Sequence, residues 1–176
     1  MLARERLDAL LHGTRPGSEQ AAHGSHSSRV TASIEICAPP QRVWETIMDP
    51  AQLQEWVTIH RRLVRADEPP PRVGFEMDQQ IHVRGVNLQV HWTLAECRAP
   101  ELAVWEGRGP ARSRAHTEYV LSAVERGTRF DYCNEFHAPL GPLGAVVSRA
   151  LVGGMPRREA GRTLERLRAY LEHSSR

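Results

Sequence analysis

The sequence predicts an α+β fold: a curved antiparallel sheet wrapped around a long C-terminal helix, with two short helices after the first strand. Three observations carry that prediction. From about residue 59 to 137 apolar residues recur with period two, the signature of strands with one buried face. The last segment returns to helical spacing, with Leu164, Leu167 and Leu171 on one stripe. Between the first strand and the sheet, prolines at 39, 40 and 50 punctuate two short helical stretches.

Taken in order, residues 2–12 have the spacing of a short amphipathic helix, with Leu2, Leu7, Leu10 and Leu11 apolar and Gly13 as its stop. Residues 14–28 are polar, rich in Gly and Ser, and without periodicity, so 1–28 reads as a flexible leader. The domain is expected over 29–172, followed by a tail at 173–176. It opens with the strand RVTASIEICA, which Pro39 and Pro40 end while presetting the helix QRVWETIM. Asp49 is placed to cap a second short helix, with Pro50 at its first position and Gln52 closing a capping box. FEMDQQIHVR and VNLQVHWTLA then alternate cleanly about a turn at Gly85, and ELAVWEG, RSRAHTEYVLSAV and TRFDYCNEFH supply further strands. In the terminal segment Val146, Val147, Ala150 and Leu151 also have helical spacing, and Gly153, Gly154 and Pro156 predict a break before the final helix.

Composition removes several function classes. The 176 residues carry 23 basic and 21 acidic side chains with a net charge of +2, interspersed rather than gathered into the basic face of a nucleic-acid domain. Every basic residue is Arg, so Schiff-base and phosphate-loop lysine chemistry is absent. Cys37, Cys97 and Cys133 form neither a CxxC pair nor an even disulfide set, which fits a reducing cytoplasm. No apolar run reaches the roughly 20 residues of a membrane span.

The stretch IEICAPPQRVWETIMDPAQLQEW resembles the opening of the START-like (SRPBCC, helix-grip) superfamily, in its polyketide cyclase/dehydrase and lipid-transport branch. The shared features are an apolar strand, Ala38-Pro39-Pro40, Val43-Trp44, Asp49-Pro50 and a closing Trp56. Gly127-Thr128 leading into the last strand and LGPLG before the terminal helix are similar as well, and the resemblance spans roughly 29–172. It implies a helix-grip fold with a deep cavity between sheet and helix that holds an apolar small molecule. It carries no fixed catalytic signature, so no catalytic residue is transferred.

Alternation names the candidate ligand wall. If the apolar face of each strand points to the helix, Phe75, Met77, Gln79 and Trp92 line the cavity, followed by Thr117, Tyr119, Tyr132, Asn134 and Phe136. Trp105 has Leu102 and Val104 on its opposite face, which leaves its direction open, and Trp56 is divided between ligand wall and core. Trp44 is assigned to the helix–sheet core. The inward polar groups are all neutral, whereas a general base near neutral pH is normally His, Asp or Glu. Those residues (His82, His91, Arg114, His116, Glu118, Arg129, Asp131, Glu135 and His137) fall on the outward parity. A β-bulge would invert that parity and return His116 or Glu118 to the cavity.

Metal and phosphate chemistry find little support. His23 and His26 lie in the leader, EGRGPAR lacks the spacing and the Lys of a phosphate loop, and no Ser elbow occurs. No cofactor and no metal are expected, and no oligomeric state follows. Arg108, Arg112 and Arg114 flank a loop that either meets an anionic group at the cavity mouth or is simply solvated. The reading is a non-catalytic carrier or sensor of a lipid-like or polyketide-like molecule, without nucleic acid or stable membrane insertion. The alternatives are a polyketide cyclase/aromatase working through shape and neutral donors, and a small interaction protein with a collapsed cavity.

Overall fold

The computed structural model describes residues 27–83, 85–137 and 155–173. The leader helix and the helical spacing at 146–151 lie outside these residues, as do Gly153 and Gly154. Strand β1 covers Ser27–Ile36, beginning two residues before the boundary read from the sequence. Pro39, at φ −61° and ψ 148°, ends it in an extended conformation, and Pro40 starts helix α1, Pro40–Met48. Asp49 caps the turn Pro50–Gln52 by accepting from the Ala51 N–H at 2.9 Å. Gln52 does not close a backbone capping box; its Nε2 donates to the Asp49 carboxylate at 3.0 Å. Helix α2, Leu53–Trp56, follows.

Strands β2 (His60–Ala66), β3 (Glu76–Val83), β4 (Val86–Arg98), β5 (Leu102–Arg108), β6 (Arg114–Val124) and β7 (Gly127–His137) are antiparallel to their neighbours. The sheet runs β1-β7-β6-β5-β4-β3-β2, so the first strand pairs with the last. That seam needs a close approach. A Cβ on Gly127, at φ +141°, would lie 2.1 Å from the Ile36 carbonyl oxygen, which only glycine avoids. Next to it the fully buried Thr128 donates from Oγ1 to the Ala38 carbonyl at 2.7 Å. The Gly127-Thr128 pair of the sequence is therefore the weld between the two ends of the chain's sheet.

The register slips lie outside the β5–β6 and β6–β7 pairings: two are in the β2–β3 pairing and one is in β4–β5. The β4–β5 register slips between Leu94 and Glu96, turning Cys97 inward beside Ala103, while β5, β6 and β7 stay in register throughout. Inward parity in β6 and β7 is therefore preserved, and His116 and Glu118 remain outside. The register also settles Trp105: it sits between Leu94 and Thr117 on the inner face, with Leu102 and Val104 on the outer one. The outer face is not uniformly wet, because Leu102, Val104, Val120 and Cys133 are buried there.

Helix α3, Met155–His173, covers the inner face. Its Leu164, Leu167 and Leu171 are at most 1% exposed and join a core with Ile36, Val43 and Phe130. Each such leucine stabilises by roughly 1.5–3 kcal/mol on burial. Polar ties fix its placement: the Cys37 N–H donates to Glu172 Oε1 at 3.0 Å, and Arg166 donates to the Gln54 carbonyl at 2.9 Å.

On the outer face His116 bridges two carboxylates, Nδ1 to Glu106 at 2.7 Å and Nε2 to Glu118 at 2.9 Å. Donation from both nitrogens requires the imidazolium. Bonding to Glu118 foremost, then Glu106, raises its pKa to about 9 against the opposing effect of burial.

Three predictions follow from this geometry. Gly127→Ala should lower the unfolding free energy in urea by about 2 kcal/mol or more. Gly161→Ala, in the α3 interior with nothing within 4 Å of a new Cβ, should raise it by about 0.5–1 kcal/mol. A histidine with a raised folded pKa contributes fully below its unfolded value of 6.5 and loses that contribution as pH climbs through about 9. Urea unfolding between those pH values should show stability falling in the wild type and a shallower fall in His116→Gln.

Candidate functional site

A cavity of about 360 Å³ opens between the inner face of the sheet and α3. It lies at the small end of the roughly 300–1,000 Å³ range of ligand pockets. The space follows from the sequence of side-chain sizes along one rung. Phe136, Ala115, Gly107, Trp92 and Met77 sit side by side across β7, β6, β5, β4 and β3. Gly107 is the low point. A Cβ there would come 2.8 Å from Cζ3 of Trp92, so the indole lies directly over the glycine backbone. Small residues at Gly107 and Ala115 leave the hollow that larger ones would fill.

All but one of the residues expected on the ligand wall border this cavity: Trp56, Met77, Gln79, Trp92, Trp105, Thr117, Tyr119, Tyr132, Asn134 and Phe136. Phe75 does not. It shares the parity of Met77 but lies further towards the closed end, where Leu94 donates its N–H to the Phe75 carbonyl. There its ring packs edge-on against Trp105, with centroids 6.3 Å apart and planes at 86°. Trp44 is core, as expected.

The polar groups form two clusters. In the first, Asn134 Nδ2 donates to Thr117 Oγ1 at 2.9 Å, and Tyr132 stands beside Asn134 on β7. Tyr132 lies against Tyr119, with ring centroids 6.0 Å apart, and Tyr119 meets Trp56 edge-on at 6.2 Å. Burial pushes the Tyr132 phenol up to about 12 despite the opposing bond from Asn134. Burial likewise raises the Tyr119 phenol. Both hydroxyls therefore keep their protons and remain donors.

In the second cluster the Trp92 indole, which can only donate, gives its Nε1–H to Gln79 Oε1 at 3.0 Å. That fixes the Gln79 amide, whose Nε2 then faces His60 Nδ1 at 2.9 Å, and Nδ1 must accept. His60 is held as the neutral tautomer protonated on Nε2, and burial lowers its pKa in the same sense. His60 is an ionisable group that strand alternation missed. The β2–β3 register slips twice, so no period-two reading reaches it.

The cavity mouth also draws on residues outside the alternation. Thr58 Oγ1 meets Thr163 Oγ1 at 2.8 Å and donates to Glu159 Oε2 at 3.1 Å, tying α3 to the segment after α2. Glu159 and Thr163 are four apart, and the same helical step leads on to Leu167; that spacing was the available signal. Across the opening stand Gly109, Pro110, Ser113 and Arg114, so the arginine-flanked loop does lie at the mouth. Ala111 and Arg112 in that loop have φ of 55° and 65°. Arg108 and Arg114 face each other in register there, and Arg114 borders the opening. Among the described residues no three His, Cys, Asp or Glu side chains come together to hold a metal ion.

What this arrangement offers chemically is an apolar hollow with fixed neutral donors and acceptors, and one carboxylate at its rim. Comparison with known proteins supplies its lineage. The family model described as polyketide cyclase / dehydrase and lipid transport matches residues 27–172. Toxin Rv0910 of Mycobacterium tuberculosis is 25% identical over 127 residues, covering 70% of this chain and 88% of the toxin. Among solved structures, the protein of unknown function SA2116 from Staphylococcus aureus superposes with a TM-score of 0.66 at 12% identity, over 86% of this chain and 97% of that one. Mll3558 from Rhizobium loti gives 0.60 at 20% identity, over 84% and 99%. The match over residues 27–172 spans β1 through nearly all of α3, and the chain belongs to the polyketide cyclase/dehydrase and lipid-transport family.

Proposed function

We propose that the protein is a non-catalytic carrier or sensor that holds one small apolar molecule between its sheet and α3. The observation that carries this reading is the chemistry of the cavity wall. Apolar surface from Ile81, Leu88, Val90 and Trp92 faces a cluster of neutral hydrogen-bonding groups on β6 and β7. That is the make-up of a small-molecule site. The ionisable groups argue against acid–base catalysis in the hollow. His60, which does not border the cavity, accepts from Gln79 through Nδ1. Of the groups that do, His82 and Arg114 are exposed, and Glu159 is engaged by Thr58 and by Arg162 at the mouth. A general base must instead be free to take a proton from the substrate.

The three cysteines are free thiols, which accords with a reducing cytoplasmic setting. Among the described residues no helix is long and apolar enough to cross a membrane. The interspersed charge gives no nucleic-acid face.

The test is extraction of protein purified from cells, followed by mass spectrometry. A stoichiometric apolar compound should come off the wild type and be lost from Ala115→Phe, whose ring would fill the hollow beside Gly107. That variant should stay folded, with stability changed by no more than about 1–3 kcal/mol. No bound compound, together with no uptake of any apolar ligand by the wild type, would refute the reading. Turnover of a poly-β-keto substrate into cyclised products would instead identify a cyclase.

A further inference from the structure

We infer that the ligand of this cavity is a neutral oxygen-bearing molecule, an ester or ketone with a short alkyl chain, rather than a fatty acid or other anion. The inference rests on the carrier reading and adds its ligand class. The geometry supplies both halves of the argument.

The interior is two-ended. At the β3–β4 end, Ile81, Leu88 and Val90 form a separate apolar cluster, extended by Ile59, Val83 and Val86. At the β6–β7 end, Thr117, Tyr119, Tyr132 and Asn134 gather on adjacent rungs. Their mutual bonds leave capacity unused. Asn134 spends an N–H on Thr117, so the Thr117 hydroxyl proton remains available. The Tyr119 hydroxyl has no hydrogen-bond partner among the described residues, and both tyrosines retain surface facing the hollow. Three hydroxyl-bearing side chains therefore line the same part of the cavity, where a ligand oxygen can accept from them.

Among the described residues no cationic side chain is bonded to this cluster. Besides the two tyrosines, the titratable side chains bordering the cavity are His82, Arg114 and Glu159. Arg114 and His82 are exposed, and Arg114 stands at the mouth, in register with Arg108 and His137, rather than on the rungs of the hydroxyl cluster. Glu159 is an anion and repels another. A carboxylate drawn into the hydroxyl cluster would be desolvated without a counter-charge, whereas an ester carbonyl needs only the donors already in place. At roughly 30 Å³ per non-hydrogen atom, about 360 Å³ holds on the order of a dozen such atoms.

Methyl nonanoate and its isomer decanoic acid meet that size and differ in charge alone at pH 8. Calorimetric titration of the full chain should show the ester binding at least about tenfold more tightly than decanoate. The double variant Tyr119→Phe/Tyr132→Phe, which keeps both rings, should weaken ester binding by about tenfold and leave decanoate nearly unchanged. Equal or tighter binding of decanoate, above all if Arg114→Gln abolished it, would overturn the ligand class while leaving the carrier reading intact. Ester binding unaffected by the double variant would likewise overturn it. Failure of both isomers to bind the wild type would overturn this inference, and the carrier reading would then stand or fall on the extraction experiment.

Discussion

A mismatch of surfaces governs this molecule. Seven strands present a long apolar trough, and one 19-residue helix, about 28 Å long, covers it together with Trp44 and Ile47 of α1 and Trp56 of α2. The helix meets the trough with Leu164, Leu167 and Leu171 at the closed end, beside β1 and Phe130. Towards β3 and β4 the cavity intervenes, with Ala160 and Thr163 of the helix and Met77 and Val90 of the sheet in its wall. There Trp92 rests on Gly107, and Ala115 beside it is too small to fill the space. The hollow is the part of the sheet's inner face that the helix leaves unfilled.

The closed end makes the open end possible. The weld of Gly127 and Thr128 onto Ile36 and Ala38 joins the first strand to the last, fixing the curvature over which α3 lies. From that anchor β6 and β7 run in unbroken register to the mouth, so Tyr132 and Asn134 arrive at fixed places opposite Tyr119 and Thr117. The outer face contributes rigidity of a different kind. His116, held between Glu106 and Glu118, links β5 and β6 electrostatically behind the same rungs. Stability and site geometry thus share the same strands.

Strand alternation alone read the β6–β7 wall, because those strands contain no bulge and every second residue keeps its face. Trp105 needed the register itself: Leu102 and Val104 are buried too, on the opposite side, so hydrophobicity gave no direction. Phe75 had the right parity but the wrong depth, which alternation does not encode. His60 was hidden by two slips in the β2–β3 pairing, and Glu159 by belonging to a helix whose apolar stripe drew attention to its leucines. Motifs that demand backbone geometry, such as Pro39-Pro40, Asp49-Pro50 and Gly127-Thr128, were legible because each has a local steric reason. The mouth was not, since it is assembled from segments far apart in sequence, with Thr58 meeting Glu159 and Gly109 standing across from both.

The central claim is that the trough between sheet and helix, and no other surface, is where a ligand lies. The most direct measurement is intermolecular nuclear Overhauser contacts in isotope-labelled protein saturated with methyl nonanoate. The account predicts contacts from the alkyl end to Ile81, Leu88 and Val90, and from the ester end to Tyr132 and Thr117. Contacts confined to the outer face around Leu102 and Val120, or none within the trough while the ester is bound, would contradict it.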